Sequence, residues 1–337
     1  MDLLTVAVSG TTGTGIDGNG WQVLHRAWLE RLGGDMLPYV TGVLLSVGVL
    51  GYVLSGIKHG RHGRLVRNAT VLRSAVLVTY FLLLSLNLWC IFADLGTVAE
   101  DFVIALTLLA TGAWGLIVTK RRIPIAIRAE PRRVLAVGAH PDDLELACGG
   151  TLAKLVDARH EVRGLILSQG ERGGSRDARP GEAKNGASFI GLTELQVHNF
   201  PDTRLDTMGN EIVETIEAAI RDFKPDVIFT HSAHDQHQDH YAVHKATLRA
   251  ARAHHSILCF ESPSVTRDFD PSVFVDIDGY VDVKVEAVLS HRDQAGKPYM
   301  TPERVRGMAS FRGAQAKNYS AEAFEPVRLL GSAIGDL

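Results

Sequence analysis

Cysteine is scarce in this chain of 337 residues: Cys90, Cys148 and Cys259 are all it has. Three scattered thiols exclude a disulfide framework and a cysteine-rich zinc site. That usage fits a reducing compartment. The second half also lacks a basic surplus. Residues 1–133 carry 13 Lys/Arg against 8 Asp/Glu, and the remainder 22 against 30. An acidic globular half excludes a nucleic-acid surface, and a basic apolar half suggests a membrane surface. The Gly/Thr-rich opening, SGTTGTGIDGNG, lacks the Gly-Lys-Ser/Thr ending of a phosphate-binding loop and has no nucleotide role. No basic segment opens the chain, so a cleaved signal peptide is not expected.

Charge is missing from three runs, 36–57, 74–93 and 102–119. Each is near the roughly 20 residues that span hydrocarbon as a helix, the third being the shortest. An all-α membrane anchor of about three helices is therefore expected over residues 1–130. Lys58, Arg61, Arg64, Arg67 and Arg73 lie around the first connection with no acid among them. DLGTVAED, in the second connection, has no base, and KRRIPIAIRAEPRR after the third run is strongly basic. The positive-inside rule then places the N-terminus outside and everything after residue 120 in the cytoplasm. Tyr39, Tyr52, Trp89 and Trp114 fall toward run ends, as interfacial aromatics do. WQVLHRAWLERL, residues 21–32, has apolar residues at helical spacing and is expected to lie flat on the outer interface.

From residue 131 to 337 a second domain is expected. Apolar runs without alternation (RVLAVGA, VRGLILS, LQVHNF, DVIFTH, ILCFES) are separated by helical patterns. This implies an α/β, Rossmann-like, mainly parallel sheet flanked by helices on both faces. Such sheets bind ligands beyond the carboxyl ends of their strands. AHPDD follows the first strand, SQGERGGSR the second, FPDTRLD the third and THSAHDQHQDH the fourth, so all four polar clusters fall on one rim.

Five histidines, His231, His234, His237, His240 and His244, occupy fourteen positions at a strand end. Two ligands at close spacing plus one distant histidine is the usual composition of a catalytic zinc site. His140 and Asp143 can reach one metal, and His240 can supply the third bond. A metal lowers the pKa of bound water to about 7. Asp142 then stands beside the metal as a general base. A protonated His237 can stabilise an oxyanion and pass a proton to the leaving group. His231 and His234 read as loop residues, and His244 as facing a partner helix. Gly149 and Gly150, before which Cys148 stands, are expected to permit close helix–sheet contact.

AHPDDLELACGGTL together with HDQHQDH resembles the PIG-L/LmbE family of zinc-dependent de-N-acetylases, and the likeness spans residues 133–329. It includes GERGG, RPGEAKNGASFIGL, FPDTRLD, SHRDQ and RGAQAKNYSAEAF. The resemblance implies an LmbE-like fold and removal of acetyl groups from N-acetylglucosamine units attached to phosphatidylinositol, inositol or antibiotics. It puts metal ligands on His140, Asp143 and His240, the base on Asp142 and the second catalytic role on His237, and it gives Cys148 no role beyond packing. Gln238 stands where many members have proline, and Ala147 where glycine is frequent. Arg172 and Arg176 are candidates to grip a phosphate or sugar hydroxyl. Asp202 is a candidate to bind the sugar or orient His237, and His291 to approach substrate.

The sequence is thus expected to encode a multi-pass membrane protein with one Zn2+ per chain, although His/Asp/His ligation also suits iron or cobalt. Its expected partners are the bilayer and an amino-sugar glycoconjugate, with lipid-linked N-acetylglucosamine as substrate. The alternatives are the same chemistry on a soluble amino-sugar conjugate, or a non-catalytic zinc-binding module.

Overall fold

A computed structural model describes residues 37–59, 69–92, 97–120 and 131–330. The expected interfacial segment 21–32, the glycine-rich opening and the basic residues Arg61, Arg64 and Arg67 lie outside them. The chain divides into two compact units, one holding residues 37–55 and 71–117 of the described helices, the other including 131–330.

The first unit consists of α1 (Leu37–His59), α2 (Ala69–Phe92) and α3 (Thr97–Lys120). Among the described residues, Val71–Ile91 and Asp101–Lys120 are long and apolar enough to cross a membrane. The first helix, Leu37–His59, contributes the apolar stretch Tyr39–Leu54 among the described residues. Leu44, Phe81, Leu82 and Leu109 are all more than 60 % exposed, so these helices do not hide their apolar faces in a core of their own. Polar contacts tie α2 to α3: Tyr80 Oη to Thr111 Oγ1 at 2.8 Å and Asn87 Nδ2 to Thr107 Oγ1 at 3.1 Å. Tyr52 and Trp89 face outward, but Tyr39 is buried between helices and Trp114 packs against the Tyr80 cluster. Tyr39 and Trp114 thus contribute to helix packing.

The second unit is built on seven strands: β1 (Arg133–Gly138), β2 (Glu161–Ser168), β3 (Glu194–Phe200), β4 (Val227–His231), β5 (Ile257–Phe260), β6 (Val273–Asp276) and β7 (Ala321–Arg328). Their order is β3-β2-β1-β4-β5-β7-β6. The first five pair in parallel; β7 runs antiparallel to both β5 and β6. Helices α4 (Asp143–Asp157), α5 (Arg179–Ile190), α8 (Val281–Leu289) and α9 (Pro302–Gln315) contribute to the core on one face. On the other face lie α6 (Gly209–Phe223) and α7 (Gln238–Ala250). The central strand shows why its sequence is apolar throughout. Val134 and Ala136 enter one core, Leu135 and Val137 the other. A strand buried on both faces has no solvent side to mark with polar residues.

The strand order reverses between β1 and β4, and a crevice opens at the carboxyl ends of strands where such a reversal occurs. Both motif-bearing loops leave from there. The elements after residue 262, including the antiparallel pair β6 and β7, were not expected from the sequence. Helix α4 is kinked at Cys148 (φ −137°), and the carboxylate of Glu322 accepts from the Gly150 and Thr151 N–H groups that the kink releases. A Cβ on Gly150 would stand 3.0 Å from Ile277 Cδ1, so this glycine does permit a close approach. At Gly149 the nearest atom would be at 3.6 Å, an ordinary contact.

Candidate active site

A cavity of about 330 Å³ opens at the β1/β4 rim. His140, Asp142, Asp143, Arg172, Asp202, His237 and His240 all line it, so three of the four rim loops meet the fourth as expected.

Asp142 follows β1 and precedes α4. An aspartate there ordinarily caps the helix with its carboxylate. Asp142 makes no such bond and takes a φ of 108°. Positive φ at a non-glycine residue costs about 1–3 kcal/mol and persists where the surroundings impose it. The surroundings here are Arg179, 3 % exposed, which donates to Gly170 O, to Pro141 O and to Asp142 Oδ1 at 2.6, 2.8 and 3.3 Å. The Asp142 carboxylate is therefore held on the cavity rather than spent on the helix end. Burial, reinforced by the Asp143 charge, pushes its pKa up to about 6 against the pull of Arg179. Asp143 is the opposite case. Burial works against its charge, but His240 and His231 outweigh burial and hold it well below the carboxylate range. Its Oδ2 accepts from the Ala139 and His140 N–H groups at 2.9 and 2.7 Å and lies 3.1 Å from His231 Nε2. Its Oδ1 is left facing His240 Nε2 at 3.4 Å.

The two flanking imidazoles are each fixed by carboxylates on one nitrogen. His140 Nε2 lies 3.1 Å from Asp202 Oδ1 and 3.0 Å from Asp239 Oδ2. His240 Nδ1 lies 2.8 Å from Asp235 Oδ2, which also accepts from Ser262 Oγ. A carboxylate on one ring nitrogen fixes the tautomer that presents a lone pair on the other. The remaining nitrogens, His140 Nδ1 and His240 Nε2, stand 3.3 Å apart, and His140 Nδ1 is 3.7 Å from Asp143 Oδ2. Ligands 2.0–2.1 Å from a tetrahedral ion stand about 3.3 Å from one another. The donor set therefore fits a single small cation. The surroundings also favour positive charge: hydrogen bonds that His140 donates to Asp202 and Asp239 raise its pKa to about 9 despite burial, and Asp143 and Asp235 raise His240 to about 10.

His237 caps α7, its Nδ1 accepting from Asp239 N–H at 3.2 Å. It stacks on His240 with ring centroids 4.5 Å apart. Burial and the neighbouring His240 and His140 charges lower its pKa. Because Nδ1 accepts from the Asp239 N–H, a neutral ring carries its proton on Nε2.

Several other expectations are corrected. Arg176 is exposed, bonds Gln169 through Nε at 3.0 Å and does not line the cavity. Asp202 orients His140 and the Arg172 backbone, not His237. His291 is 1 % exposed, 3.3 Å from Glu145 and outside the cavity lining, so the SHRDQ segment is an internal support. His231 is fully buried against Asp143, while His234 pairs with Glu325 at 2.8 Å. His244 bonds the His231 carbonyl at 2.9 Å, facing β4 rather than a helix. Sequence reasoning missed Arg179, Asp235 and Asp239 as functional neighbours, and Lys297 and Tyr299 in the lining. The first three lay inside quoted motifs; the last two follow residue 262, where no element was expected.

A sequence model of the family described as PIG-L, GlcNAc-PI de-N-acetylase, matches residues 135–251. An uncharacterized deacetylase of Escherichia coli K12, YaiS, is 35 % identical over 167 residues, covering 47 % of this chain and 90 % of that protein. The chain belongs to the PIG-L/LmbE deacetylase family. Diacetylchitobiose deacetylase of Thermococcus kodakarensis is 26 % identical over 191 residues, 48 % of this chain and 70 % of that one. The crystal structure of the conserved protein TT1542 from Thermus thermophilus superimposes with a TM-score of 0.54 at 27 % identity, covering 59 % of this chain and 96 % of that one. The structural likeness agrees with the α/β fold of the second unit.

Proposed function

We propose that this PIG-L/LmbE deacetylase hydrolyses the N-acetyl group of an amino sugar, giving a free amine and acetate, with one Zn2+ held by His140 Nδ1, Asp143 Oδ1 and His240 Nε2. The carrying observation is that His240 Nε2 lies 3.3 Å from His140 Nδ1 and 3.4 Å from Asp143 Oδ1, beside a carboxylate that none of them needs. A bound Zn2+ supplies Lewis acidity that acidifies water and polarises the acetamide carbonyl. Asp142 takes a proton from the attacking water, and Arg179 keeps its carboxylate at the cavity. His237 donates Nε2–H to the developing oxyanion. Asp142 then returns its proton to the amine as the C–N bond breaks. Arg172 stands on the cavity wall where sugar hydroxyls would lie. The amino-sugar substrate is supported by the diacetylchitobiose deacetylase relative.

We further propose that α1–α3 anchor the chain in a bilayer and that the substrate is a lipid-linked N-acetylglucosamine. Two helices of sufficient apolar length and their outward leucines and phenylalanines support this reading. The basic loops support an external N-terminus and a cytoplasmic α/β unit. Product analysis by mass spectrometry with N-acetylglucosaminyl lipids tests the activity: release of acetate and a product lighter by one acetyl group is expected, and no product from lipid-linked or soluble N-acetylglucosaminides overturns it. Labelling of Asp177→Cys tests the topology, because Cys90, Cys148 and Cys259 are all buried. Labelling from outside intact cells would overturn it.

A further inference from the structure

A second cavity, of about 410 Å³, adjoins the catalytic one. Leu146, Pro263 and Tyr299 line both, so the two cavities share this wall. Their characters differ. The catalytic cavity is walled by imidazoles and carboxylates; the second is walled by Val265, Val305, Met308, Ala309 and Ala323, with ionic groups already paired among themselves. Lys284 Nζ lies 2.5 Å from Glu322, and Arg312 makes a two-pronged contact with Glu261 at 2.6 and 2.8 Å. Neutralised pairs offer an entering ligand no unbalanced charge. Among the described residues, exposed Arg304 is the lining cation with no carboxylate partner. The volume lies in the roughly 300–1,000 Å³ range of ligand sites.

We propose that this second cavity receives the hydrocarbon aglycone of the substrate while the acetamido sugar occupies the catalytic cavity. The inference rests on the amino-sugar deacetylase reading above. Three observations select a hydrocarbon as occupant: the wall of Leu146, Pro263 and Tyr299 shared with the catalytic cavity, an apolar lining in which every ionic group but exposed Arg304 is paired, and helices in the same chain long and apolar enough to cross a membrane. Each methylene buried there strengthens binding roughly fourfold.

The test compares methyl and dodecyl N-acetylglucosaminides as substrates of the full chain in lipid nanodiscs. The wild type is expected to show a dodecyl-to-methyl ratio of kcat/KM well above one. Met308→Trp and Val265→Trp, which fill the cavity from two sides, are expected to lower that ratio at least tenfold while the methyl glycoside is still turned over. Partitioning of the dodecyl chain into the bilayer would raise the wild-type ratio but leave it the same in both variants, and that result overturns the proposal. A wild-type ratio near one also overturns it while leaving the deacetylase reading intact. Turnover of neither glycoside overturns that reading, and this inference with it. Should the tryptophan variants lose both activities, decanoate decides in the wild type. Inhibition of dodecyl turnover at concentrations that spare methyl turnover supports the cavity; equal inhibition of both sinks it.

Discussion

Two regions of the α/β unit bury charge, and they do so differently. Behind α4, Lys284 and Glu322 are 6 % and 4 % exposed. Glu322 accepts from Lys284 and from the Gly150 and Thr151 N–H groups, so each carboxylate oxygen has a donor. At the β1/β4 rim the outer atoms of His140, Asp143 and His240 are satisfied with equal care, but the inner nitrogen of His140 and the inner oxygen of Asp143 both face His240 Nε2. Burial of charge therefore does not mark a functional site by itself. Donor atoms aimed at a common point do, because such an arrangement is repulsive until positive charge, as protons or a cation, is shared among them.

The sharpest way to break this contrast is to remove an inward donor. His140→Ala, Asp143→Ala and His240→Ala should each lower bound metal by at least an order of magnitude, read by elemental analysis of purified protein, and abolish measurable turnover. Full metal content in all three would return the rim cluster to the same class as the Lys284 pair.

Asp142 separates chemistry from binding at the same rim. Asp142→Asn keeps the shape and a contact to Arg179 but cannot accept a proton. Turnover should fall by about 10²–10⁴-fold with metal content retained. Loss of metal would make Asp142 a ligand; wild-type turnover would remove it from the mechanism. The outer carboxylates should have the next largest effect. Asp235→Asn leaves His240 in place but weakens the hold on Nδ1 and the bias toward a lone pair on Nε2. Metal affinity should fall by about 10–100-fold in competition with a chelator.

At Lys284 the effects should invert. Lys284→Ala leaves Glu322 buried without its cation and should cost about 3–5 kcal/mol in denaturant unfolding of the α/β unit. Metal affinity per folded molecule should stay within threefold, and Lys284→Met with Glu322→Gln should recover most of the stability. The smallest effect belongs to Arg176→Ala. Its side chain is exposed and bonded to Gln169, so kcat/KM should change less than twofold. A tenfold loss would bring the second-strand loop back into substrate binding.

The alternation of apolar runs with helical patterns determined the parallel core from β1 to β5 and the rim on which chemistry collects, because strands buried on both faces must be apolar throughout and polar loops must leave at their ends. The spacing within AHPDD and HDQHQDH, with the family resemblance, was enough to single out His140, Asp143 and His240, since residues three apart at a strand end or helix start share a direction. Tertiary structure decided the rest. The strands after residue 262 are short and antiparallel, and one of them, β7, lies between β5 and β6 although it comes last in the chain. No local pattern encodes that insertion. Asp202 and Asp239, 37 residues apart in sequence, meet on one imidazole nitrogen of His140. Arg179 reaches back 37 residues to fix a carboxylate at an unfavourable φ. His291 looked like a site residue by its motif and is instead enclosed against Glu145. Sequence spacing constrains which atoms can reach a point along one loop. Which lone pairs remain free there is settled only when distant chain segments have claimed the others.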